Sequence, residues 1–101
     1  MIDFSNALKI ALRTGRIILG FERTKKSIIR GNAKLVIIAS NAPKDRMEEL
    51  KYYAKLANVP IYIFEGSSKD LGALCGKPFM VSAMSVEEPG DSNILELVEA
   101  E

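Results

Sequence analysis

Gly72, Gly76, Lys77 and Pro78 lie in the segment GALCGKP, and a Gly-Lys pair in a glycine-containing stretch invites a test for phosphate chemistry. A Walker A loop, G-x-x-x-x-G-K-[ST], cradles phosphate on backbone N–H groups and places a hydroxyl on magnesium. Here only three residues separate Gly72 from Gly76, and Pro78 stands in the hydroxyl position. The segment also follows an expected helix, whereas a phosphate loop follows a strand. The pattern favours a helix end instead, with Gly76 as the left-handed residue after the cap and Lys77 facing the last carbonyls.

Other chemistries fare no better. The chain has one cysteine, Cys75, no histidine and no Cys-x-x-Cys, which excludes zinc and metal catalysis by His or Cys ligands. Cys75 reads as a small packed hydrophobe beside Leu74. Glu48 with Glu49, and Glu87 with Glu88, are adjacent pairs, but neighbours in a helix point about 100° apart and neighbours in a strand face opposite sides. Neither pair can converge on one substrate atom, and all four read as solvated surface charges. Tyr52, Tyr53 and Tyr62 each lie within a periodic apolar pattern and are expected to cover the core. No enzyme and no cofactor are expected.

What remains is a polar and basic set, and its placement depends on the elements. Phe4, Ala7, Leu8, Ala11 and Leu12 recur at helical spacing, with Asp3 or Ser5 as N-cap and Gly15 as terminator. RIILG is a short buried strand, FERTKKSIIRG a second helix ending at Gly31, and AKLVIIAS a central strand, too continuously apolar for an exposed edge. A third helix runs between Pro43 and Pro60, followed by the strand IYIFE. Ser67 and Asp70 resemble a capping box that opens a short helix to Gly76. FMVSAMSVEE reads as the fourth strand, and a last helical turn or two falls around Ile94 to Val98.

The order α-β-α-β-α-β-α-β-α places helices on both faces of one sheet, a three-layer α/β/α sandwich. At 101 residues, with 48% apolar and 27% charged residues, the chain is expected to form one domain, 1–101. Its apolar runs are far short of a membrane span and the N-terminus lacks a basic-then-apolar segment, so no membrane partner is expected and cytoplasm is the default. The net charge of +1 does not mark a nucleic-acid binder. Its distribution is more telling: residues 9–34 are almost wholly basic in their charges, and 87–101 wholly acidic.

Three strand-to-helix turns, LGFERTKK, SNAPKDR and SSKD, should therefore share one rim of the sheet. Gly20 leaves a helix N-terminus open to phosphate, Lys25 and Lys26 follow a turn later, and Phe79 and Val81 can add apolar contact for unstacked bases. Asn41 could equally cap the helix begun at Pro43, and Phe79 and Val81 could be core residues of the fourth strand.

Three stretches carry a resemblance. GFERTKKSIIRGNAKLVIIASNAP, ELKYYAKLANVPIYIFEGSSKDLGALCGKPFMV and SVEEPGDSNIL together resemble the archaeal and eukaryotic large-subunit ribosomal protein L thirty e family, within the kink-turn-binding L seven Ae superfamily. The similarity spans essentially the whole chain. It implies a four-stranded mixed sheet, where alternation alone suggests parallel strands. It also implies a non-catalytic constituent of the large ribosomal subunit that holds a kink-turn or similar internal loop of ribosomal RNA beside neighbouring large-subunit proteins, in the cytoplasm and monomeric when free. A regulatory or protein-interaction module of the same fold outside the ribosome is the alternative.

The RNA contacts implied by the resemblance are Leu19 and Gly20 at the first turn, Lys26 on the helix, Asn41 and Arg46 at the second turn, and Lys77, Phe79 and Val81 at the third. Two positions depart from the family pattern. Glu22 stands where a lysine is usual in eukaryotic members, and Ser68 where an asparagine is common. A carboxylate near phosphate is repulsive unless it accepts a base N–H, as from guanine or cytosine, so the role of Glu22 is open.

Overall fold

The protein is described from a computed structural model over residues 3–97. Helix α1 (Phe4–Thr14) leads into β1 (Arg16–Leu19), α2 (Phe21–Ile29), β2 (Leu35–Ala39), α3 (Lys44–Ala57), β3 (Ile61–Phe64), α4 (Ser68–Leu74) and β4 (Ala83–Glu88), and a 3-10 turn covers Ile94–Leu97. Val98, Glu99 and Glu101, part of the expected last turn and acidic end, lie outside the described residues.

The sheet order is β1-β4-β2-β3, with β4 antiparallel to both neighbours and β2 parallel to β3. The sheet is thus mixed. This arrangement brings the C-terminal ends of β1, β2 and β3 and the N-terminal end of β4 to one rim. Register pins Met84 opposite Leu19 on one side and Ile37 on the other.

All five residues of β2 are buried, because both of its faces are covered. Leu35, Ile37 and Ala39 pack with Leu8, Leu71 and Met84 under α1 and α4, while Val36 and Ile38 pack with Ile28, Leu50 and Ala83 under α2 and α3. Each fully buried Leu or Ile contributes roughly 1.5–3 kcal/mol, so this two-sided strand anchors both layers. Tyr62 and Phe64 on β3 extend the first cluster, stacking on Phe4 at ring separations of 5.4 and 5.3 Å. Tyr62 thus covers the core. Tyr52 instead is 60% exposed on α3, edge-on to Tyr53 at 5.2 Å.

Local chemistry sets the helix ends. The Asp3 carboxylate accepts the Asn6 N–H at 3.2 Å and caps α1. Ser67 and Asp70 form the full capping box of α4. At its other end Gly76 takes φ +71°, its N–H donates to the Ala73 carbonyl, and the Lys77 N–H donates to Gly72, both at 3.0 Å. That is a Schellman stop. GALCGKP is therefore a helix terminus, and Gly31 ends α2 in the same way.

The fourth strand begins at Ala83, four residues later than the sequence pattern suggests. Residues 79–81 have no strand partners, and the Ser82 carbonyl already accepts the Ala39 N–H of β2 at 2.9 Å; the Val81 N–H donates to the Ser68 carbonyl at 3.0 Å. This segment is an irregular bridge from α4 to β4.

Candidate nucleic-acid interface

Four chain segments meet at the rim, and each is tied to the next. The Gly20 N–H donates to the Ala83 carbonyl at 2.9 Å, which fixes the β1–α2 turn against β4. Phe21, the first residue of α2, lies under the Arg46 guanidinium at 4.9 Å and the Lys25 ammonium at 5.6 Å. This cation–π contact joins the first turn to the start of α3. The Asn41 side-chain oxygen accepts the Ser68 N–H at 2.8 Å and the Ser68 hydroxyl at 3.1 Å, joining the second turn to α4. Ser68 in turn holds Val81 through its carbonyl. The rim is pre-ordered by its own contacts, which lowers the ordering cost of binding.

The first turn has the character of an anion site. Gly20 sits at φ +105° and ψ 152°, a region essentially reserved for glycine, and a Cβ there would meet nothing within 4 Å. Conformation, not crowding within the fold, therefore demands glycine. The helix that follows has no side-chain cap, so its first N–H groups and positive dipole end are open. Leu19 is partly buried behind this turn, Lys26 is exposed a turn and a half along, and Glu22 is exposed, 3.5 Å from Lys25.

The other expected residues divide. Arg46, Lys77 and Phe79 are exposed, the last at 55%. Asn41 does not cap α3, whose N-cap is Pro43; its oxygen is committed to Ser68, and its side-chain N–H donors have no partner among the described residues. Ser68 is buried, so its hydroxyl supports Asn41 rather than facing outward. Val81 is only 1% exposed and belongs to the core cluster with Leu71 and Met84, which corrects its expected outward contact. The two-residue alternation that grouped Val81 with Phe79 applies to a strand, and this bridge is not one.

Some residues escaped sequence reasoning. Met80 is 70% exposed and, with Phe79, Pro78, Lys77, Lys69 and Ala73, lines a shallow hollow of about 520 Å³ at the end of the rim. Gly72 carries the Phe79–Met80 bridge across α4, since a Cβ there would overlap the Phe79 carbonyl oxygen. A glycine inside a short helix was the available signal. Phe21 gave none, because it follows the helical apolar pattern.

Two charge assignments also change or sharpen. Glu87 is not a solvated charge: its side chain is 11% exposed, its carboxylate accepts the Ser27 hydroxyl at 2.6 Å, and it lies 3.0 Å from Arg16 Nε. Cys75 is half-buried against the core, and burial pushes its thiol pKa up while Lys77 draws it partly back. It is an inert packing residue.

Comparison with known proteins identifies the family of the chain as a whole. The large ribosomal subunit protein eL30 of Pyrobaculum neutrophilum is 52% identical over 99 residues, covering 98% of each chain. The eL30 proteins of Methanothermobacter thermautotrophicus and Methanocaldococcus jannaschii are 48% and 51% identical, over 96% and 97% of this chain and 99% and 89% of theirs. A solved structure of a protein of unknown function from Bacillus halodurans C superposes with a TM-score of 0.83 over the full length of both chains, at 23% identity, and so shares the fold. The sequence pattern of the ribosomal protein L7Ae/L30e/S12e/Gadd45 family matches residues 3–96, and the chain belongs to that family.

Proposed function

We propose that this protein is a structural, non-catalytic constituent of the large ribosomal subunit that holds a kink-turn or similar internal loop of ribosomal RNA on its four-segment rim. The observation that carries the reading is the near-full-length identity of about one residue in two to relatives named large ribosomal subunit protein eL30. Gly20 and the open N-terminus of α2 receive phosphate, with Leu19 setting the backbone course into the turn. Lys26 and Lys77 neutralise further phosphates, while Asn41 and Arg46 donate to base edges or backbone. Phe79 packs on an extruded nucleotide, and Met80 widens that apolar contact.

Ser68 and Val81 act from beneath, holding Asn41 and the bridge. Glu22 projects from the first turn of α2, where it can accept a base N–H. The partner is RNA together with neighbouring large-subunit proteins, the free protein is a monomer, and its place is the cytoplasmic ribosome. Co-sedimentation tests the assignment. Tagged protein expressed at native level should travel with large subunits at high salt, and recovery only in free fractions would defeat the assignment.

A further inference from the structure

Arg46 carries a charge that the fold leaves unspent. It is exposed in the first turn of α3, and among the described residues its guanidinium pairs with no carboxylate. A long side chain in that position ordinarily samples many rotamers and must be ordered at the moment of binding. Arg46 is not left in that condition: its Cζ lies 4.9 Å from the centroid of the Phe21 ring.

The ring is itself fixed. Phe21 is half-buried against the core cluster of Ile28, Leu50 and Ala83, and it follows Gly20, whose N–H is tied to the Ala83 carbonyl at 2.9 Å. A second cation, Lys25, shares the ring at 5.6 Å, but its charge is already taken. The Lys25 ammonium donates to Glu49 at 2.9 Å and lies 3.5 Å from Glu22. Two cations over one ring repel unless one is neutralised, and the Lys25–Glu49 pair neutralises it. Arg46 is thus the cation held by the ring alone. A carboxylate partner would consume guanidinium N–H donors, whereas a π face attracts the charge and leaves those donors free. One contact therefore orders the side chain and keeps it able to donate.

We propose that Phe21 is a positioning residue for RNA binding, which acts through Arg46 by holding its guanidinium over the ring with the N–H donors open to the RNA loop. The proposal rests on the rim reading, which makes Arg46 an RNA contact. It adds a requirement that the apolar periodicity of α2 does not express. Position 21 needs a π face and not only apolar bulk, since an aliphatic side chain fills the same half-buried place without attracting a cation. It also couples the two turns, because the ring sits directly after Gly20 while the cation it holds belongs to α3.

The test is a double-mutant cycle on kink-turn RNA binding, with Phe21→Leu, Arg46→Ala, the two together, and Phe21→Tyr as the variant that keeps a ring. Denaturant midpoints establish that each variant is folded under the binding conditions. Phe21→Leu should weaken binding about 2- to 30-fold, as expected for loss of an aromatic hold on a cation, and Phe21→Tyr should stay within about twofold of wild type. Once Arg46 is alanine, Phe21→Leu should cost no further affinity. A second readout needs no RNA. In NMR spectra of the free protein the Arg46 Nε–H signal should be ordered and ring-shifted in wild type and Phe21→Tyr, and motionally averaged in Phe21→Leu.

Equal losses from Phe21→Leu with and without Arg46 would make Phe21 a plain support of the fold and overturn the proposal. An Arg46 signal that Phe21→Leu leaves unmoved overturns it as well, whatever the affinities. Failure of the rim reading looks different. Wild-type affinity in Arg46→Ala strikes Arg46 from the rim contacts, and equal binding of kink-turn and plain duplex by wild type defeats the rim as a whole; either result removes the RNA role of Phe21 even where the NMR signal shows the ring holding Arg46. Additive losses with the kink-turn preference intact, by contrast, overturn the role of Phe21 alone.

Discussion

Replacing Phe79 and Val81 by alanine, one at a time, separates contact with RNA from support of the fold. Phe79 is 55% exposed, so less than half of its surface is covered within the protein. On a side chain burying about 200 Å² when fully covered, that leaves at most roughly 2 kcal/mol of stability at ~25 cal/mol per Å², and less against a compact unfolded state. Val81 is 1% exposed among Leu71 and Met84, and deleting two methyl groups there removes about 1.6 kcal/mol of transfer energy plus a cavity cost, about 2–3 kcal/mol in all.

Binding should show the opposite order. Loss of a stacked ring weakens RNA binding by roughly 1–3 kcal/mol, about 5- to 150-fold in Kd, so Phe79→Ala should fall in that range. Val81→Ala should bind nearly as wild type while folded. Chemical denaturation gives the stabilities and calorimetry the affinities. The reasoning is refuted if Phe79→Ala leaves Kd unchanged, or if Val81→Ala, still folded, loses as much affinity as Phe79→Ala.

Other predictions follow from the rim ties and the α2 core face. Asn41→Ala leaves the Ser68 N–H and hydroxyl without their acceptor in a buried position and should cost about 1–3 kcal/mol of stability, read by denaturant midpoint. An unchanged midpoint would remove the Asn41–Ser68 tie from the account. Lys26→Ala should reduce the salt slope of RNA binding by about one unit, and an unaltered slope would strike Lys26 from the phosphate contacts. Thr24 Oγ1 is fully buried on α2 with no hydrogen-bond partner, so the equal-shaped Thr24→Val should raise stability by about 1 kcal/mol. A fall in thermal midpoint would mean that the hydroxyl is satisfied after all.

Most elements could be read directly because their signals are local. The Ser67–Asp70 box, the glycine stops at Gly31 and Gly76, and the continuous apolar run of β2 are written within a few residues. The antiparallel placement of β4 is not local; it depends on the route of the bridge over Gly72, and the family resemblance implied only that the sheet is mixed. Val81 and Phe79 share a pattern but not a fate, because period two holds only where a strand exists. Glu87 looked solvated because its partners, Ser27 and Arg16, lie 60 and 71 residues away in the chain.

The central claim is that this rim recognises a bent RNA loop rather than RNA in general. Calorimetric titration at ~0.15 M salt of a kink-turn RNA and of a plain duplex of equal length tests it most directly, because charge alone serves both ligands equally. The account predicts tight, saturable binding of the kink-turn and weak, strongly salt-dependent binding of the duplex. Equal and weak affinity for the two would contradict it.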